Sequence, residues 1–466
     1  MPFILLLAAV LPFTVADLQL GEQRTIQLPN GLAVPVRVVA VDETRDALQS
    51  AVREARVSAI VDGVKIELRC ANYELPRAAG RVQVDCPVTA AYKNNSTEDH
   101  WGLRAAARLR LWPAGSPWMT PGEMGYPLKQ RWFLTHTQMA NEPTYVDRGE
   151  QRSRKKVYYH SGLDLGGAEA MAQVVAATDG VVVSLGKEVL PEHKAGTPVA
   201  PRYDVIYLRD SRGWYYRYSH LFSFHSAIEL GAEVKRGDPL GVLGKEGGSG
   251  GWSHLHFEIK SRQPSGEWGT EEGFAFLWEA YLRDFKPDVI AMARPHRYAK
   301  TGEEVMLDGS RSWVREGKPA YQWRLSDGRV VSTPRVAMRY AKVGTYSEVL
   351  EVKDARGKIG YDFATVNVYG DEDPITINAS YFPSLGVKAG QTITFKVRTF
   401  GLTSGEETWD FGDGSARRST QSDGNAVKLA KNGYAVITHT YAKPGNYVVI
   451  VKNGSAATTH LWVPVD

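Results

Sequence analysis

The last third of this 466-residue chain contains an internal repeat, which limits the possible folds more than any other feature. A tryptophan followed four residues later by Asp-Gly occurs at 323–328 and again at 409–414. A Tyr-Ala-Lys-x-Gly-x-Tyr segment follows each copy, at 340–346 and at 441–447. Each unit spans about 80–95 residues and contains alternating apolar segments, the size and rhythm of an antiparallel β-sandwich.

The remaining chain is also typical of β-structure. With 45 Gly, 24 Pro and many short Val- and Tyr-rich segments, the composition favours strands and turns over long helices. The only helical candidate lies near residues 273–280. We therefore expect an all-β multidomain protein built from antiparallel sheets. It would comprise a β-rich N-terminal domain at 17–130, a central domain at 131–286 and immunoglobulin-like sandwiches at 287–370 and 371–466.

Charge and hydropathy exclude two classes of partner. The formal net charge of +4 is too small to indicate binding to nucleic acid. Outside the N-terminus, no apolar run approaches the roughly 18–20 residues that a membrane span needs. We therefore expect no nucleic-acid partner and no membrane span.

The N-terminus has the pattern of a secretory signal peptide. An apolar block at residues 3–13 is followed by the small residues Thr14-Val15-Ala16, which predicts cleavage before Asp17. Residues 1–16 are thus predicted to direct the protein to the periplasm, the cell envelope or the medium. The block lacks a preceding Lys or Arg, and the alternative is a buried N-terminal strand.

The chain has two cysteines, Cys70 and Cys86, and each ends an alternating segment. A hairpin between these segments would bring the thiols close together. In an exported protein this arrangement predicts a disulfide, and the alternative is two buried free cysteines.

The central region holds the candidate residues for metal binding and proton transfer. On a strand, the side chains of His254 and His256 point to the same face, so both imidazoles can approach one centre. A catalytic zinc ion takes three protein ligands, imidazole nitrogens and a carboxylate oxygen, and keeps one position open for water. His160 and Asp164 can supply one ligand of each kind, and His220 adds a further imidazole. Two histidines and the aspartate fill three positions, which leaves two histidines for acid–base work near neutral pH.

The central region shows a specific resemblance to a known family. Residues from about 150 to 262 resemble the lysostaphin/LytM-type zinc endopeptidases, which cut peptidoglycan cross-bridges. The matching motifs are His160-x-x-x-Asp164, Ala176-Ala-Thr-Asp-Gly180-Val-Val-Val, Tyr218-Ser-His220-Leu, Val234-Lys-Arg-Gly237-Asp-Pro-Leu-Gly241, and a glycine-rich approach to His254-Leu-His256-Phe-Glu258. The resemblance implies that His160, Asp164 and His256 bind one Zn²⁺ per chain. It also implies that His220 and His254 are catalytic, orienting the water and stabilising the oxyanion.

One departure from the family pattern affects specificity. The family usually has Gly-Asn before the strand that leads to the tyrosine–histidine motif, whereas this chain has Tyr203-Asp204 after an enlarged loop at 187–202. This loop could line or restrict the substrate groove. The aromatic residues nearby are interpreted as sheet packing or as a stacking floor for a glycan or stem peptide. Glu258 is interpreted as a support for a neighbouring residue.

The repeated units resemble PKD domains, the immunoglobulin-like modules of many secreted bacterial enzymes. The second copy matches closely, with Trp-Asp-Phe-Gly-Asp-Gly at 409–414, His-Thr-Tyr at 439–441 and Pro-Gly-Asn-Tyr at 444–447. The first copy departs from the pattern at 324–326, where it has Arg-Leu-Ser. Such domains imply possible contacts with a glycan or a protein.

These observations predict a zinc metalloendopeptidase that hydrolyses amide bonds in peptidoglycan peptide cross-links. One alternative is a non-hydrolytic protein that binds the cell wall or regulates other enzymes. Another is a zinc endopeptidase that acts on a protein outside the wall. The complete five-residue set favours an active hydrolase over the non-hydrolytic alternative.

Overall fold

A computed structural model describes residues 11–70, 72–93, 96–145 and 157–466. The described chain is almost entirely β-structure in antiparallel sheets, which confirms the predicted fold class. Among these residues there is one α-helix, α1 (Phe274–Phe285), at the position where the sequence predicted it. No helix in the described part of the chain is long and apolar enough to cross a membrane.

The N-terminal region consists of two four-stranded sheets that share one core. The strand orders are β1-β8-β7-β6 and β2-β3-β4-β5. The strands are β1 (Thr14–Leu18), β2 (Gln23–Gln27), β3 (Ala33–Arg45), β4 (Val52–Val61), β5 (Val64–Arg69), β6 (Arg77–Ala79), β7 (Val82–Thr89) and β8 (Ala107–Pro113).

The predicted signal peptide is partly built into this fold. Its residues 1–10 lie outside the described residues, but β1 pairs along its whole length with β8. Phe13 is buried, with its ring 5.0 Å from that of Trp112 and 5.6 Å from that of Phe276. A cut before Asp17 would divide β1 and remove Phe13 from the core, so this strand matches the alternative of a buried N-terminal strand. The signal peptide and its cleavage site stay predictions.

The predicted disulfide is not formed in this structure. Cys70 and Cys86 face each other in an isolated β-bridge, but both are buried free thiols. Each sulfur has another partner: Cys70 Sγ accepts from the Asn141 amide at 3.7 Å, and Cys86 Sγ donates to the carbonyl of Val88 at 3.5 Å. Burial raises the pKa of the Cys70 thiol well above its ordinary value, so this thiol is protonated.

The central region is built on a nine-stranded sheet. Its main path is β15-β14-β16-β17-β21-β12-β9, with β19 paired to β14 and β22 paired to β21, and a three-stranded sheet β13-β20-β18 packs nearby. The strands are β9 (Thr137–Gln138), β10 (Pro143–Tyr145), β11 (Val157–Tyr159), β12 (Leu163–Gly166), β13 (Gln173–Val175), β14 (Gly180–Leu185), β15 (Glu188–Val189), β16 (Ile206–Arg209), β17 (Tyr215–Ser219), β18 (Leu221–Phe224), β19 (Glu233–Val234), β20 (Pro239–Leu243), β21 (His254–Arg262) and β22 (Trp268–Glu271).

The N-terminal and central regions share buried contacts. The fully buried Arg110 guanidinium on β8 bonds to Asp85 at 3.0 Å, and to Glu271 Oε1 at 2.8 Å and the Glu272 carbonyl at 2.6 Å just before α1. The core around α1 also includes Phe13 and Trp112. The hydrophobic core therefore continues across the predicted boundary near residue 130.

The C-terminal third contains two sandwiches joined edge to edge. One sheet, β24-β31-β30-β38-β37-β34-β35, runs through both repeats because Thr345 on β30 pairs in parallel with Ala457 on β38. The strands are β23 (Val289–Ile290), β24 (Arg297–Lys300), β25 (Glu304–Asp308), β26 (Trp313–Val314), β27 (Ala320–Arg324), β28 (Val330–Val331), β29 (Arg335–Arg339), β30 (Gly344–Lys353), β31 (Ile359–Tyr369), β32 (Thr376–Phe382), β33 (Thr392–Phe400), β34 (Gly405–Asp410), β35 (Arg418–Ser422), β36 (Ala435–Thr440), β37 (Gly445–Asn453) and β38 (Ala457–Val465).

The repeated tryptophans have the same structural role in the two sandwiches. Trp323 and Trp409 are completely buried in the centres of their respective cores. The Asp-Gly pairs that follow them lie in a turn at 327–328 and in a bend at 413–414. The predicted domain limits themselves stay predictions.

Candidate metal and catalytic centre

Three neighbouring strands bring the five predicted site residues together at one end of the central sheet. In the antiparallel pair β12–β21, Asp164 lies opposite His256 and Gly166 lies opposite His254. On the other side of β21, Ser219 at the end of β17 lies opposite His256, which places His220 beside the same centre. His160 precedes β12 and is held by backbone hydrogen bonds with residues 141 and 142.

His160, Asp164 and His256 form a compact set of three ligand atoms. Nε2 of His160 lies 3.0 Å from Nδ1 of His256, and Asp164 Oδ1 lies 3.1 Å and 2.9 Å from these two nitrogens. Ligands of a tetrahedral zinc ion at 2.0–2.1 Å stand about 3.3 Å apart. The triangle therefore fits a single zinc ion after small outward shifts of the side chains, and the nitrogen–nitrogen–oxygen donor set suits zinc.

Gly162 is required for this close approach. A Cβ at this position would lie 2.6 Å from the carbonyl oxygen of Phe257 and 3.1 Å from Cε1 of His256. Any other residue would push the 160–164 segment away from β21. The glycine between His160 and Asp164 thus has a steric role in the site.

His220 and His254 form a second pair beside this triangle. Their ring centroids are 4.6 Å apart, and the His220 ring is 6.1 Å from that of His256. Nε2 of His254 lies 3.4 Å from Asp164 Oδ2, the oxygen that is not part of the triangle. The two surplus imidazoles therefore lie within reach of a small molecule bound at the triangle.

Asp204 holds His220 in an unusual backbone conformation. His220 has φ = 68°, in the left-handed region that non-glycine residues rarely adopt. Asp204 Oδ2 accepts the backbone N–H of His220 at 2.9 Å, and the Asp204 carbonyl accepts that of Leu221 at 3.2 Å. Arg202 in turn pairs with the Asp204 carboxylate, which is buried. Sequence reasoning noted residue 204 only as a departure from a pattern; its role as a clamp depends on tertiary contacts.

Backbone carbonyls select the tautomers of both histidines. Nδ1 of His220 lies 2.5 Å from the carbonyl oxygen of Glu246, and Nδ1 of His254 lies 3.1 Å from that of Trp252. A carbonyl can only accept, so in each neutral ring the proton sits on Nδ1. In His220 the short contact with the carbonyl outweighs a longer one of 3.2 Å between Arg202 Nη2 and the same nitrogen. Nε2 of each ring then keeps its lone pair. The indole of Trp252 also stacks on His254, at 3.8 Å and 19° between planes.

Burial and charge set the ionisation of the centre. Burial raises the pKa of Asp164, but His160 and His254 together bring it well below its ordinary value, so the carboxylate is ionised. Burial lowers the pKa of His254 to about 3 and also lowers that of His220, against the opposing effects of Asp164 and Asp204. Both imidazoles are therefore neutral at pH 7, the form that can accept a proton.

Glu258 lies behind His256, on the side away from the triangle. Its Oε2 is 3.9 Å from Nε2 of His256, while Oε1 accepts from Lys260 at 2.8 Å and from Thr270 at 3.2 Å. These contacts match the predicted supporting role. Burial lowers the pKa of His256, but the hydrogen bond with Asp164 and the nearby charge of Glu258 outweigh it and raise this pKa above its ordinary value.

Most of the nearby aromatic residues are packing residues. Tyr207, Tyr216 and Tyr218 are at most 2% exposed, whereas Tyr203 is 47% exposed beside the enlarged loop. That loop packs against β22 through the carbonyl of Gly196, which accepts from the indole of Trp268 at 2.8 Å. Of the predicted stacking floor, Tyr203 and the half-buried Trp252 are thus the members near the centre that a ligand can reach.

Comparisons with known proteins identify the modules. A sequence profile of Peptidase family M23 matches residues 158–266, and profiles of the PKD domain match residues 286–368 and 375–460. Among solved structures, the chain is similar to a mutant catalytic domain of the prophage-encoded M23 protein EnpA from Enterococcus faecalis. The two share 18% identity over 31% of this chain and 88% of that chain, with a TM-score of 0.21.

Two further similarities involve longer stretches of the chain. Csd3 of Helicobacter pylori shares 12% identity over 57% of this chain and 82% of that chain, with a TM-score of 0.22. The D0-D1 domain of intimin shares 18% identity over 38% of this chain and 97% of that chain, with a TM-score of 0.23. The profile matches confirm both resemblances seen in the sequence: the chain contains a peptidase domain of family M23 followed by two PKD domains.

Proposed function

We propose that this peptidase is a zinc-dependent endopeptidase that hydrolyses amide bonds in the peptide cross-links of peptidoglycan. The observation that carries the proposal is the triangle of His160, Asp164 and His256 with two neutral histidines beside it. A structural zinc site is closed by four protein ligands, whereas a catalytic site leaves one position for water. Three ligands with two adjacent proton acceptors are the arrangement that hydrolysis needs.

In this proposal, His160 Nε2, His256 Nδ1 and one oxygen of Asp164 would hold the ion. Bound zinc supplies a Lewis acid for the substrate carbonyl and lowers the pKa of a water ligand to about 7. Asp164 contributes the negative charge that favours a divalent cation. Gly162 keeps the two halves of the ligand set at the required separation.

His220 and His254 would move the protons. With Nδ1 of each ring donating to a carbonyl, Nε2 can accept a proton from the attacking water. Once protonated, the same nitrogen can donate a hydrogen bond to the developing oxyanion and then deliver the proton to the leaving nitrogen. The hydrogen bond from the His220 backbone N–H to Asp204 would keep the His220 ring oriented during these proton transfers.

The proposed substrate follows from the family and from the predicted export of the chain. Enzymes of the lysostaphin/LytM type cut peptidoglycan cross-bridges, and the predicted signal peptide would place this protein in the cell envelope or outside the cell. The PKD domains are proposed to contact a glycan or a protein there. This location and these partners rest on the resemblance and on the sequence.

Mass spectrometry of muropeptides released from purified sacculi by the full-length protein tests reaction and bond together. We expect new peptide termini at cross-links, loss of release on chelation, and recovery on addition of zinc. Oligoglycine and casein are digested in parallel. Stoichiometric zinc without any release would favour a non-hydrolytic protein that binds the wall or regulates other enzymes, and cleavage of casein or oligoglycine alone would favour a substrate outside the wall.

A further inference from the structure

We infer that the second PKD domain contributes to the peptidase site, because it fixes the conformation of the loop that positions His254 and Trp252. This inference rests on the proposed function. The loop, residues 247–253, leads directly into β21, whose first residue is His254. Three of its glycines, Gly247, Gly250 and Gly251, have positive φ angles. Glycine loses more conformational freedom on folding than other residues, so this loop needs outside contacts to keep one conformation.

The contact nearest to the catalytic residues comes from Tyr434. The backbone N–H of Ser253, the residue before His254, donates to the Tyr434 hydroxyl at 2.8 Å. That hydroxyl donates in turn to Asn378 Oδ1 at 3.0 Å, within the PKD domain. Tyr434 is buried, so the hydrogen bond is shielded from water. The backbone immediately before His254 is therefore fixed by a residue 181 positions further along the chain.

Arg398 holds the middle of the loop. Its side chain is completely buried, and Nη1 donates to the carbonyl of Gly251 at 2.6 Å. The guanidinium is kept in place by the Asp423 carboxylate at 2.6 Å and by the carbonyls of Val427 and Lys428 at 2.8 Å and 2.9 Å. A charged group with this many fixed partners is a rigid contact point.

Asn425 completes the contact and explains the glycine at position 251. Its side-chain amide donates to the carbonyl of Gly250 at 3.2 Å. A Cβ on Gly251 would lie 2.1 Å from Asn425 Oδ1 and 3.0 Å from Nη1 of Arg398. The loop and the PKD domain thus meet at a distance that only glycine permits.

Contacts beyond the loop keep the two domains in one arrangement. Lys396 donates to the carbonyl of Glu169 at 2.6 Å, Arg131 donates to the Tyr381 hydroxyl at 2.6 Å, and Leu134 is part of the PKD core. A module acting as an adhesive spacer would need no such fixed, buried contacts. The geometry points instead to Arg398, Asn425 and Tyr434 as positioning residues for His254.

The test compares Tyr434→Phe with the matched control Tyr441→Phe in the full-length protein. Both changes delete one buried hydroxyl from the same domain, but the Tyr441 hydroxyl donates to Phe411 within that domain at 3.1 Å. We expect Tyr434→Phe to lower kcat about tenfold, the effect of one lost positioning hydrogen bond, with KM, zinc content and melting temperature close to wild type. Tyr441→Phe should leave kcat unchanged.

Amide hydrogen exchange gives a second readout that does not depend on catalysis. Peptides covering 247–254 should exchange faster in Tyr434→Phe and in Asn425→Gly than in the wild type or in Tyr441→Phe. Residue 425 has φ = 61°, so glycine there preserves the fold while removing the contact. Unchanged exchange and unchanged kcat in both variants would overturn the inference. A wild type that cleaves no substrate would overturn the proposed function, and the exchange comparison would still decide this inference.

Discussion

The three proposed metal ligands and the two proposed assisting histidines lie side by side but are held in different ways. Asp164 and His256 are directly opposite each other in the pair β12–β21, so the register of two strands sets their separation. His220 lies between β17 and β18, and His254 is the first residue of β21, directly after the glycine-rich loop. Both depend on distant groups, Asp204 for one and the PKD domain for the other. The register of the sheet thus fixes two of the three proposed ligands, whereas His160 and the two proposed assisting histidines depend on contacts from the surrounding chain.

Removal of a ligand should have the largest effect. His256→Ala removes one of the three proposed ligands, and the two that remain would bind zinc weakly. We expect nearly complete loss of both bound zinc and hydrolysis, measured by elemental analysis and by product release. The control is His225→Ala, which changes a histidine outside the centre. Full hydrolysis with stoichiometric zinc in His256→Ala would show that the ligand assignment is wrong.

Removal of an assisting histidine should separate catalysis from metal binding. We expect His220→Ala or His254→Ala to reduce kcat by about 10²–10⁴-fold, the usual contribution of a positioned proton-transfer group. Zinc should remain bound because neither residue belongs to the triangle. Loss of zinc in either variant would contradict the division between ligands and assisting residues.

Removal of the clamp at Asp204 tests whether the backbone conformation of His220 matters. Asp204→Ala deletes the acceptor that holds the His220 N–H and leaves Arg202 without its carboxylate partner. We expect a loss in kcat of about 10²-fold with zinc content unchanged, because a small displacement of a catalytic group is costly. Asp204→Asn keeps one acceptor oxygen and should recover part of the activity. Equal activity of the two variants would argue against the clamp.

The stack between Trp252 and His254 should contribute least. Aromatic contacts of this kind are worth about 0.5–1.5 kcal/mol, which corresponds to a decrease in kcat of about 2- to 10-fold for Trp252→Ala. Trp252→Phe keeps a ring beside the imidazole and should remain close to the wild type. Steady-state kinetics on one defined cross-linked peptide would measure both. A Trp252→Ala variant with wild-type kcat would show that the stack is dispensable.

The sequence predicted those features of the structure that short-range patterns determine. The period of two on a strand placed His254 and His256 on one face, and the repeat around Trp323 and Trp409 revealed the two sandwiches. The α-helix at Phe274–Phe285 was also found, because its apolar residues are continuous in the chain. Each of these features depends on residues that lie close together in the sequence.

The remaining features depend on contacts between distant segments. Hydropathy alone could not show that Phe13 packs on Trp112, so the N-terminal block was interpreted as a signal peptide, with a buried strand as the alternative. The spacing of Cys70 and Cys86 placed the thiols near each other but could not reveal that Asn141 and Val88 are their partners. The hydrogen bond from the His220 backbone N–H to the Asp204 carboxylate, 16 residues earlier in the chain, also has no local signature.

The sequence by itself determined the chemistry available to this protein: which residues can bind a metal, which can accept protons, and that His254 and His256 share one strand. It could do so because side-chain type and strand periodicity are local properties. Only the tertiary structure decided how His220 and His254 are oriented, through the Asp204 clamp and the PKD domain docked on the glycine-rich loop. The physical reason is that a glycine-rich loop has no strong conformational preference of its own, and that His220 adopts a left-handed conformation that a histidine disfavours. Both geometries are therefore set by the groups that pack against them.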